Sequence, residues 1–230
     1  MSSFPTVVGE HLSSLAIALF ECPSRFKCWI APRSSDCKCC PRLRSGAIMI
    51  CIESYCLIFN KCNSCYHVKS LENSICPICS GSKLAVIGSR KRKVLDGNGE
   101  TLLVIRRLQC KNCNRIHHEL PDMIVPYKRY SSEEIESIIE SGTGNTFCKT
   151  CCENSSIYRL RRWFRSISSY LAACLGAIAA QRGLPIITMY RETLQKIKAY
   201  TGDAPGWLSR TVRALSNTNN WIHTRFAFLS

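Results

Sequence analysis

Apolar and polar residues alternate in a strand-like pattern in the middle of the chain. Leu84 opens a short apolar run, which continues through four consecutive cations into Val94 and Leu95. The Gly and Asn residues of Asp96–Gly99 tolerate the positive φ angles that a hairpin turn requires. β-Branched and aliphatic residues then return in 101–108. The pattern therefore predicts one β-hairpin centred on this turn.

Further along the chain, the apolar residues recur with a helical period. Ser131 or Ser132 can cap a helix whose first turn carries Glu133 and Glu134, which suit the positive end of the helix dipole. Gly142 is placed to end this helix. The sequence therefore predicts a short capped helix directly after the hairpin region.

A second helix is predicted to begin near residue 155. Its apolar stripe consists of Ile157, Leu160, Phe164, Ile167 and Leu171. The arginines of this segment fall away from that stripe or on its border. Two more helices are predicted at 190–200 and 207–215, after Gly- and Pro-containing breaks.

Two C-x-x-C pairs bracket the predicted hairpin and indicate a metal site. They are Cys76-Pro-Ile-Cys79 and Cys110-Lys-Asn-Cys113. The hairpin brings the pairs together, so that four thiolates can surround one structural Zn²⁺ in a tetrahedron. Such a closed shell has no open position at which water is activated. A zinc ribbon is therefore predicted, and a redox role for the pairs is disfavoured.

Other sulfur and imidazole groups leave alternatives open. Cys62/Cys65 and Cys148/Cys151 also have the two-residue spacing, and they would form a second metal site only by meeting across a long gap. Buried free thiols are the favoured interpretation of both pairs. His117 or His118 can replace one sulfur of the main site, although four cysteines already complete the shell. The alternative role of the two histidines is hydrogen bonding at the end of the ribbon.

Composition adds a polyanionic partner and a reducing compartment. The 230 residues include 31 Lys and Arg against 16 Asp and Glu, which gives a formal net charge of +15. An excess of this size predicts a polyanionic partner, most often nucleic acid and sometimes an anionic membrane face. The 17 cysteines are odd in number and partly paired as C-x-x-C, which favours metal ligation over disulfides. With no secretory signal and no apolar run of about 20 residues, we expect a cytoplasmic protein without a membrane segment.

The cations of the hairpin are candidate phosphate contacts. They are Arg90, Lys91, Arg92, Lys93, Arg106 and Arg107. Because the two arms are antiparallel, we expect these residues to form one basic region. Protection of an exposed strand edge is the alternative, but the charge exceeds what edge protection needs.

The Arg-rich second helix is the candidate for reading DNA sequence. Helices at 133–140 and 156–165 have the outline of a helix-turn-helix, although the connection is longer than the usual turn. The side chains presented to a major groove, where arginine binds guanine through two hydrogen bonds, would be Arg159, Arg161, Arg162 and Arg165. The alternative is an amphipathic helix whose arginines simply face solvent.

These elements predict an α+β fold, in which a small β-hairpin zinc ribbon precedes an all-α, helix-turn-helix-like region. Residues 1–48 are expected to be a poorly ordered extension containing Cys, Pro and Ser, with Met49 as the start of translation. Residues 49–130 form the predicted zinc-ribbon domain, and residues 131–230 form the predicted helical domain.

Several segments resemble an uncharacterised bacterial zinc-ribbon family, common in Firmicutes and associated with transposons. The segments are Cys76–Cys79, Val86–Lys93, Ile105–Cys113, Arg115–Asp122 and Ile124–Tyr130. The resemblance is looser at the C-terminal end and does not reach residues 1–48. It implies a ribbon joined to a helical DNA-binding part, and it supplies no demonstrated activity.

We therefore expect a zinc- and DNA-binding accessory protein or regulator of a mobile element. The alternative is an interaction module that docks a transposase or an RNA polymerase subunit without contacting DNA. An enzyme is disfavoured, because Glu192 and Asp203 are the only carboxylates after residue 154 and no cluster for two divalent ions is evident.

Overall fold

The structure is a computed structural model that describes residues 48–143 and 152–221. Within these ranges the strands are β1 (Ile48–Ile52), β2 (Tyr55–Asn60), β3 (Cys65–Ser70), β4 (Leu84–Asp96), β5 (Gly99–Cys110) and β6 (Ile116–Pro121). The helices are α1 (Ser132–Glu140), α2 (Asn154–Gln181), α3 (Thr193–Thr201) and α4 (Trp207–Asn217), and a 3₁₀ turn, Ser141–Thr143, follows α1. The described residues belong to a compact unit that spans 45–230.

The six strands form one curled, mixed sheet around β5. β4 pairs antiparallel with almost the whole of β5. β6 pairs antiparallel with β5 and β3 pairs parallel with it, at successive positions along its length. β1 adds to β6 as a parallel strand, and β2 forms an antiparallel hairpin with β3. The long hairpin is therefore the centre of a larger sheet.

Two apolar clusters hold the described residues together. The sheet cluster includes the fully buried Leu103 and Ile105 of β5 together with Leu120 of β6. The helical cluster is built on α1, α2, α3 and α4, and the Trp207 ring meets the Phe164 ring edge-on at 5.7 Å between centroids. Cys51 of β1 also belongs to the helical cluster. Strand β1 therefore packs on the helices while it pairs within the sheet.

Polar contacts fasten the last helix to β1 and its turn. The side-chain amide of Asn217 donates to the Cys51 carbonyl at 2.9 Å and accepts from the Cys51 N–H at 2.9 Å. Arg213 of α4 forms ion pairs with Glu53 and, at 3.1 Å, with Glu72. Helix α4 is thus tied directly to the strand that the sequence analysis did not predict.

A carboxylate from α1 caps the start of α4. Glu136 is buried, and its two oxygens accept hydrogen bonds from the Gly206 N–H at 2.8 Å and the Leu208 N–H at 2.5 Å. The first N–H groups of a helix have no intrahelical partner, so a carboxylate there satisfies them and suits the helix dipole. Glu136 therefore couples α1 to α4 across 70 residues of sequence.

The predicted fold class was wrong. The chain does not consist of a small hairpin ribbon followed by an all-helical, helix-turn-helix-like region, because six strands form a sheet that packs on four helices within the described residues. β1 is a short apolar run, whose identity as a strand depends on pairing with β6 almost 70 residues later. A local periodicity cannot report such a contact.

Individual helices agree better with their predictions. Ser131 caps α1 by accepting a hydrogen bond from the Glu134 N–H at 3.2 Å. The stripe of the second helix is confirmed, with Leu160, Phe164, Ile167 and Leu171 buried on α2. The last two helices lie at 193–201 and 207–217, close to their predicted positions.

The prediction of a disordered extension concerns residues 1–48, of which all but the last lie outside the described residues. The domain limits at 48 and 130 stay predictions. Within the described ranges no helix has the combination of length and apolar character that crossing a membrane requires, and this includes the 28-residue α2.

Candidate metal centre and basic hairpin

Four cysteine sulfurs meet at one end of the β4–β5 hairpin. The Sγ atoms of Cys76, Cys79, Cys110 and Cys113 all lie within 4.8 Å of one another. The Cys76–Cys113 and Cys79–Cys110 sulfurs are each 3.6 Å apart. Both of these short distances join one C-x-x-C pair to the other, so the cluster bridges the two pairs. The predicted ligand set is therefore brought together.

The two pairs adopt the same backbone turn, which we call a knuckle. In the first knuckle the Ser80 N–H donates to the Cys76 carbonyl at 2.9 Å, and in the second the Asn114 N–H donates to the Cys110 carbonyl at 3.0 Å. Ser80 and Asn114 both have positive φ angles, 56° and 59°. Each knuckle thus ends in a residue with a left-handed backbone, and Asn114 is of a type that is enriched in this conformation.

The β4–β5 hairpin and a close contact between Gly81 and Asn112 fix the distance between the two knuckles. Leu84 at the start of β4 pairs with Cys110 at the end of β5, and the Lys111 N–H donates to the Lys83 carbonyl at 2.9 Å. Gly81 is buried, and a Cβ atom there would lie 2.6 Å from the Asn112 amide nitrogen. Glycine at this position therefore lets the two knuckles touch.

Backbone dipoles and burial act differently on the two leading cysteines. Hydrogen bonding from the Cys113 backbone, and then from that of Asn112, lowers the pKa of Cys110 to about 7. Burial raises the pKa of Cys76 to about 12, against an opposing effect of backbone hydrogen bonds from Cys79 and Ile78. The N–H groups inside each knuckle point at its first sulfur, which stabilises a thiolate there. A cation bound by the four cysteines would supply the remaining stabilisation that a buried Cys76 thiolate needs.

The donor set fits a tetrahedral thiolate site. Four sulfurs bound to zinc at about 2.3 Å would lie about 3.8 Å from one another. The observed 3.6 Å contacts and the 4.8 Å upper limit bracket that value. The four cysteines can therefore hold one structural metal with little rearrangement.

His117 lies beside this cluster and not within it. Its Nε2 atom is 3.4 Å from the Cys76 sulfur, and the side chain is fully buried. Its Nδ1 atom is buried without a hydrogen-bond partner in the described part of the chain. A His117 N–H donated to the Cys76 sulfur orients and stabilises that thiolate, in agreement with a hydrogen-bonding role.

The other C-x-x-C pairs do not enlarge this cluster. Cys62 is exposed and Cys65 is buried at the turn between β2 and β3. The positive φ angle there, 45°, belongs to Ser64 inside the pair, whereas the knuckles place theirs after the second cysteine. Cys148 and Cys151 lie outside the described residues. The ten cysteines that the structure describes form no disulfide.

The predicted basic region of the hairpin is divided between two faces of the sheet. Arg90 and Arg92 pair across the strands with Ile105 and Leu103, and Arg107 pairs with His118 of β6. Directly paired residues share a face, and successive residues alternate between faces. Arg90, Arg92 and Arg107 therefore lie on one face, and the expectation of one continuous basic surface was wrong.

Most cations of the opposite face are engaged in ion pairs. Lys93 lies 2.7 Å from Glu100, and Arg106 holds the buried Glu119 through two hydrogen bonds of 2.6 and 2.8 Å. Ser74 donates to the same Glu119 carboxylate at 2.8 Å. Arg106 therefore stabilises the sheet. Lys91 is the exposed cation on this face for which the structure gives no such pair.

Two residues near the three arginines were missed as site residues. His118 is 5% exposed, and burial, followed by the charges of Arg90, Arg107 and Arg92, lowers its pKa to about 4. Tyr127 lies close enough to Arg92 to interact electrostatically with it. The positive φ angle of Tyr127 is unusual for a bulky residue. The Pro-Tyr dipeptide was the sequence signal for that turn.

The arginines of α2 divide into one structural residue and three exposed ones. Arg161 donates to the Ile138 carbonyl at 3.1 Å and to the Ser141 hydroxyl at 3.2 Å, so it secures the end of α1. Arg159, Arg162 and Arg165 are exposed on the outer face of α2. The expected all-helical, helix-turn-helix-like region is not what carries these arginines, because α2 belongs to a fold in which a six-stranded sheet packs on the helices.

Comparison with known proteins gives one match. Residues 76–163 match the model of a family described as "Domain of unknown function (DUF6431)". The matched segment begins at the first cysteine of the cluster and ends at Trp163 in α2, so it contains both knuckles and the hairpin. No curated protein and no solved structure matches the chain.

Proposed function

We propose that this protein binds nucleic acid, DNA in particular, through a hairpin that one structural zinc ion stabilises. The observation that carries the proposal is the four-sulfur cluster, which joins both strand ends of a hairpin rich in cations. A rigid hairpin holds its arginines at a fixed spacing, which suits contacts with a regular phosphate backbone.

Zinc is the proposed ion because four thiolates in a closed tetrahedron are its usual structural ligands. A closed shell leaves no position for substrate or activated water, which supports a binding function and not catalysis. Thiolate ligation also requires reduced cysteines, which supports a cytoplasmic location. The role as accessory or regulator of a mobile element rests on the sequence resemblance.

Salt-dependent binding tests the proposal. Full-length protein titrated into a fluorescently labelled random duplex should bind with an affinity that falls steeply as salt rises. The logarithmic slope should be about −0.9 for each phosphate contacted on duplex DNA. Measurements with single-stranded DNA and RNA of equal length would establish which nucleic acid is preferred. Absence of binding at low salt would contradict the proposal.

A second function, docking of a protein partner, is favoured by one specific surface. The edge strand β2 carries three apolar side chains that are 40–51% exposed, Leu57, Ile58 and Phe59. The Tyr66 ring of β3 lies tilted beside the Phe59 ring, with 5.0 Å between the ring centroids. Exposed apolar residues on a strand edge that pairs with no other strand among the described residues suit the addition of a partner strand. Substituting Ile58 and Phe59 by Ser should abolish capture of a purified transposase or RNA polymerase subunit and leave DNA binding unchanged.

A further inference from the structure

Three arginines on one face of the hairpin lack a negative partner. Arg90, Arg92 and Arg107 have no hydrogen bond or ion pair within the ranges that the structure describes. The opposite face differs, since Glu100 and Glu119 there each pair with a cation. Three of the four cations without an ion pair in the described part of the hairpin therefore lie on one side of the sheet, and the fourth, Lys91, lies alone on the other.

Two of the three arginines, Arg92 and Arg107, are also partly withdrawn from water, whereas Arg90 is exposed. Arg92 is half-buried, and burial, together with the neighbouring Arg90, lowers its pKa. His118 is buried directly across from Arg107 and stays neutral among these charges. Desolvated like charges repel one another, and an anion placed between them removes that repulsion. The arrangement is therefore suited to an anionic ligand.

Two backbone features shape the face that carries the three arginines. A glycine at a bulge leaves space beside Arg107, and a turn places Tyr127 near Arg92. Gly88 pairs with Arg107 at a β-bulge and carries no side chain that would cover the guanidinium group. Tyr127 lies near Arg92, in a turn closed by the Lys128 N–H and the Val125 carbonyl at 3.0 Å. The φ angle of Tyr127, 66°, is one that glycine usually takes at such a turn. A strained residue beside an unpaired charge is typical of a binding site.

We propose that Arg90, Arg92 and Arg107 form a binding site for a single phosphate group, next to the turn that holds Tyr127. Arginine matches phosphate because its planar fork donates two parallel hydrogen bonds. This proposal deepens the proposed function, on which it rests, by naming the phosphodiester that the hairpin holds. Lys91 and Lys93 lie outside the site and contribute only longer-range attraction.

Binding of inorganic phosphate tests the site without DNA. The imidazole signals of full-length zinc-loaded protein would be followed by NMR over pH, and the His118 signal would be assigned with His118→Gln. Saturating phosphate should raise the pKa of His118, because it offsets the three arginine charges. Arg92→Ala and Arg107→Ala should abolish this shift. Lys91→Ala removes the same charge from the opposite face and should leave the shift intact.

Duplex binding provides the second measurement. Arg92→Ala should weaken binding of a random duplex by about tenfold or more, as expected for loss of charge-assisted hydrogen bonds. Lys91→Ala should weaken it by no more than about threefold. Arg92→Lys keeps the charge and loses the fork, so it should resemble Arg92→Ala more closely than the wild type. Zinc content and circular dichroism would show that each variant is folded.

The outcomes separate the two proposals. Saturable phosphate binding without duplex binding would refute the nucleic-acid function and retain the phosphate site. Duplex binding that Lys91→Ala and Arg92→Ala weaken equally, with no His118 response to phosphate, would overturn the phosphate site and retain the nucleic-acid function.

Discussion

The residues around the cysteine cluster and the helical cluster are stabilised by different kinds of interaction. The metal end, residues 76–83 and 110–115, consists of two tight turns that meet at the sulfur cluster and at the close approach of Gly81 to Asn112. Ile78 within it is 42% exposed. The helical cluster, in contrast, buries Trp207, Leu208 and Leu215 completely. Burial of apolar area stabilises the second region, whereas the first has too little of it to rely on.

This difference shows which region needs a ligand to fold. A structural zinc ion contributes binding free energy that small turns cannot obtain from packing. The helices already have an apolar core, and the Glu136 carboxylate accepts hydrogen bonds from N–H groups at the start of α4. We therefore expect loss of the metal to destabilise only the residues around the cysteine cluster. Loss of core packing should lower the free energy of unfolding of the fold as a whole.

The largest expected effect is loss of the metal. Chelation or Cys110→Ser should remove a contribution of about 10–16 kcal/mol from the metal end. Hydrogen exchange should then accelerate in 76–83 and 110–115, while α2 and α4 keep most of their protection. Cys62→Ser, which changes an exposed cysteine outside the cluster, should retain one zinc per chain. Equal loss of protection in α4 would show that the two regions unfold together.

Truncation of the helical core should have the next largest effect. Trp207→Ala should lower the free energy of unfolding by about 3–5 kcal/mol, because it leaves a cavity among fully buried side chains. Urea unfolding measures this change, and a competition titration should show unaltered zinc affinity. Tyr158→Ala, at a position that is 61% exposed, is the matched control. Weaker zinc binding in Trp207→Ala would contradict independent stabilisation.

Acid should destabilise the sheet between these regions through His118. Its folded-state pKa is about 4, below the unfolded value of about 6.5, so only the unfolded state takes up a proton in that interval. Stability should fall by about 1.4 kcal/mol per pH unit below pH 6.5, about 3 kcal/mol in all. Urea unfolding of wild type and His118→Gln at each pH isolates this contribution, because both proteins carry the same cysteines. Parallel pH profiles would exclude His118 as the cause.

The smallest of these effects concerns the cap that Glu136 provides. Glu136→Ala leaves the partly buried Gly206 N–H and the buried Leu208 N–H at the start of α4 without their acceptor, and should lower the free energy of unfolding by about 2 kcal/mol. Glu133→Ala changes an exposed glutamate of the same helix and should shift it by less than about 0.5 kcal/mol. Thermal unfolding of both variants gives the comparison. A similar loss in both would assign the effect to the helix dipole of α1 instead.

Local features of the fold were predictable from the sequence, and long-range ones were not. The hairpin turn, the Ser131 cap and the four cysteine ligands each depend on residues close in sequence or on a fixed spacing. β1 and β3 pair in parallel with strands that lie far along the chain. The sequence of a short apolar run does not indicate which distant strand it pairs with. The six-stranded sheet was missed for that reason.

The same distinction explains the basic residues. A run of four cations predicts a charged strand, but a strand divides its side chains between two faces. Which cation meets a carboxylate depends on the neighbouring strand, as the pairing of Arg106 with Glu119 in β6 shows. Arg161 was likewise assigned to DNA, although the structure uses it to hold the end of α1.

The side-chain amide of Asn217 also affects how easily a second chain can pair with the edge of the sheet. β1 lies at the border of the sheet, and an open border is a template on which a second chain can add a strand. A carboxamide has a donor and an acceptor, as a peptide group does. The Asn217 side chain therefore pairs with the N–H and carbonyl groups of Cys51 in the way that a neighbouring strand would. A single side chain thereby discourages self-association at that border, without adding a strand of its own.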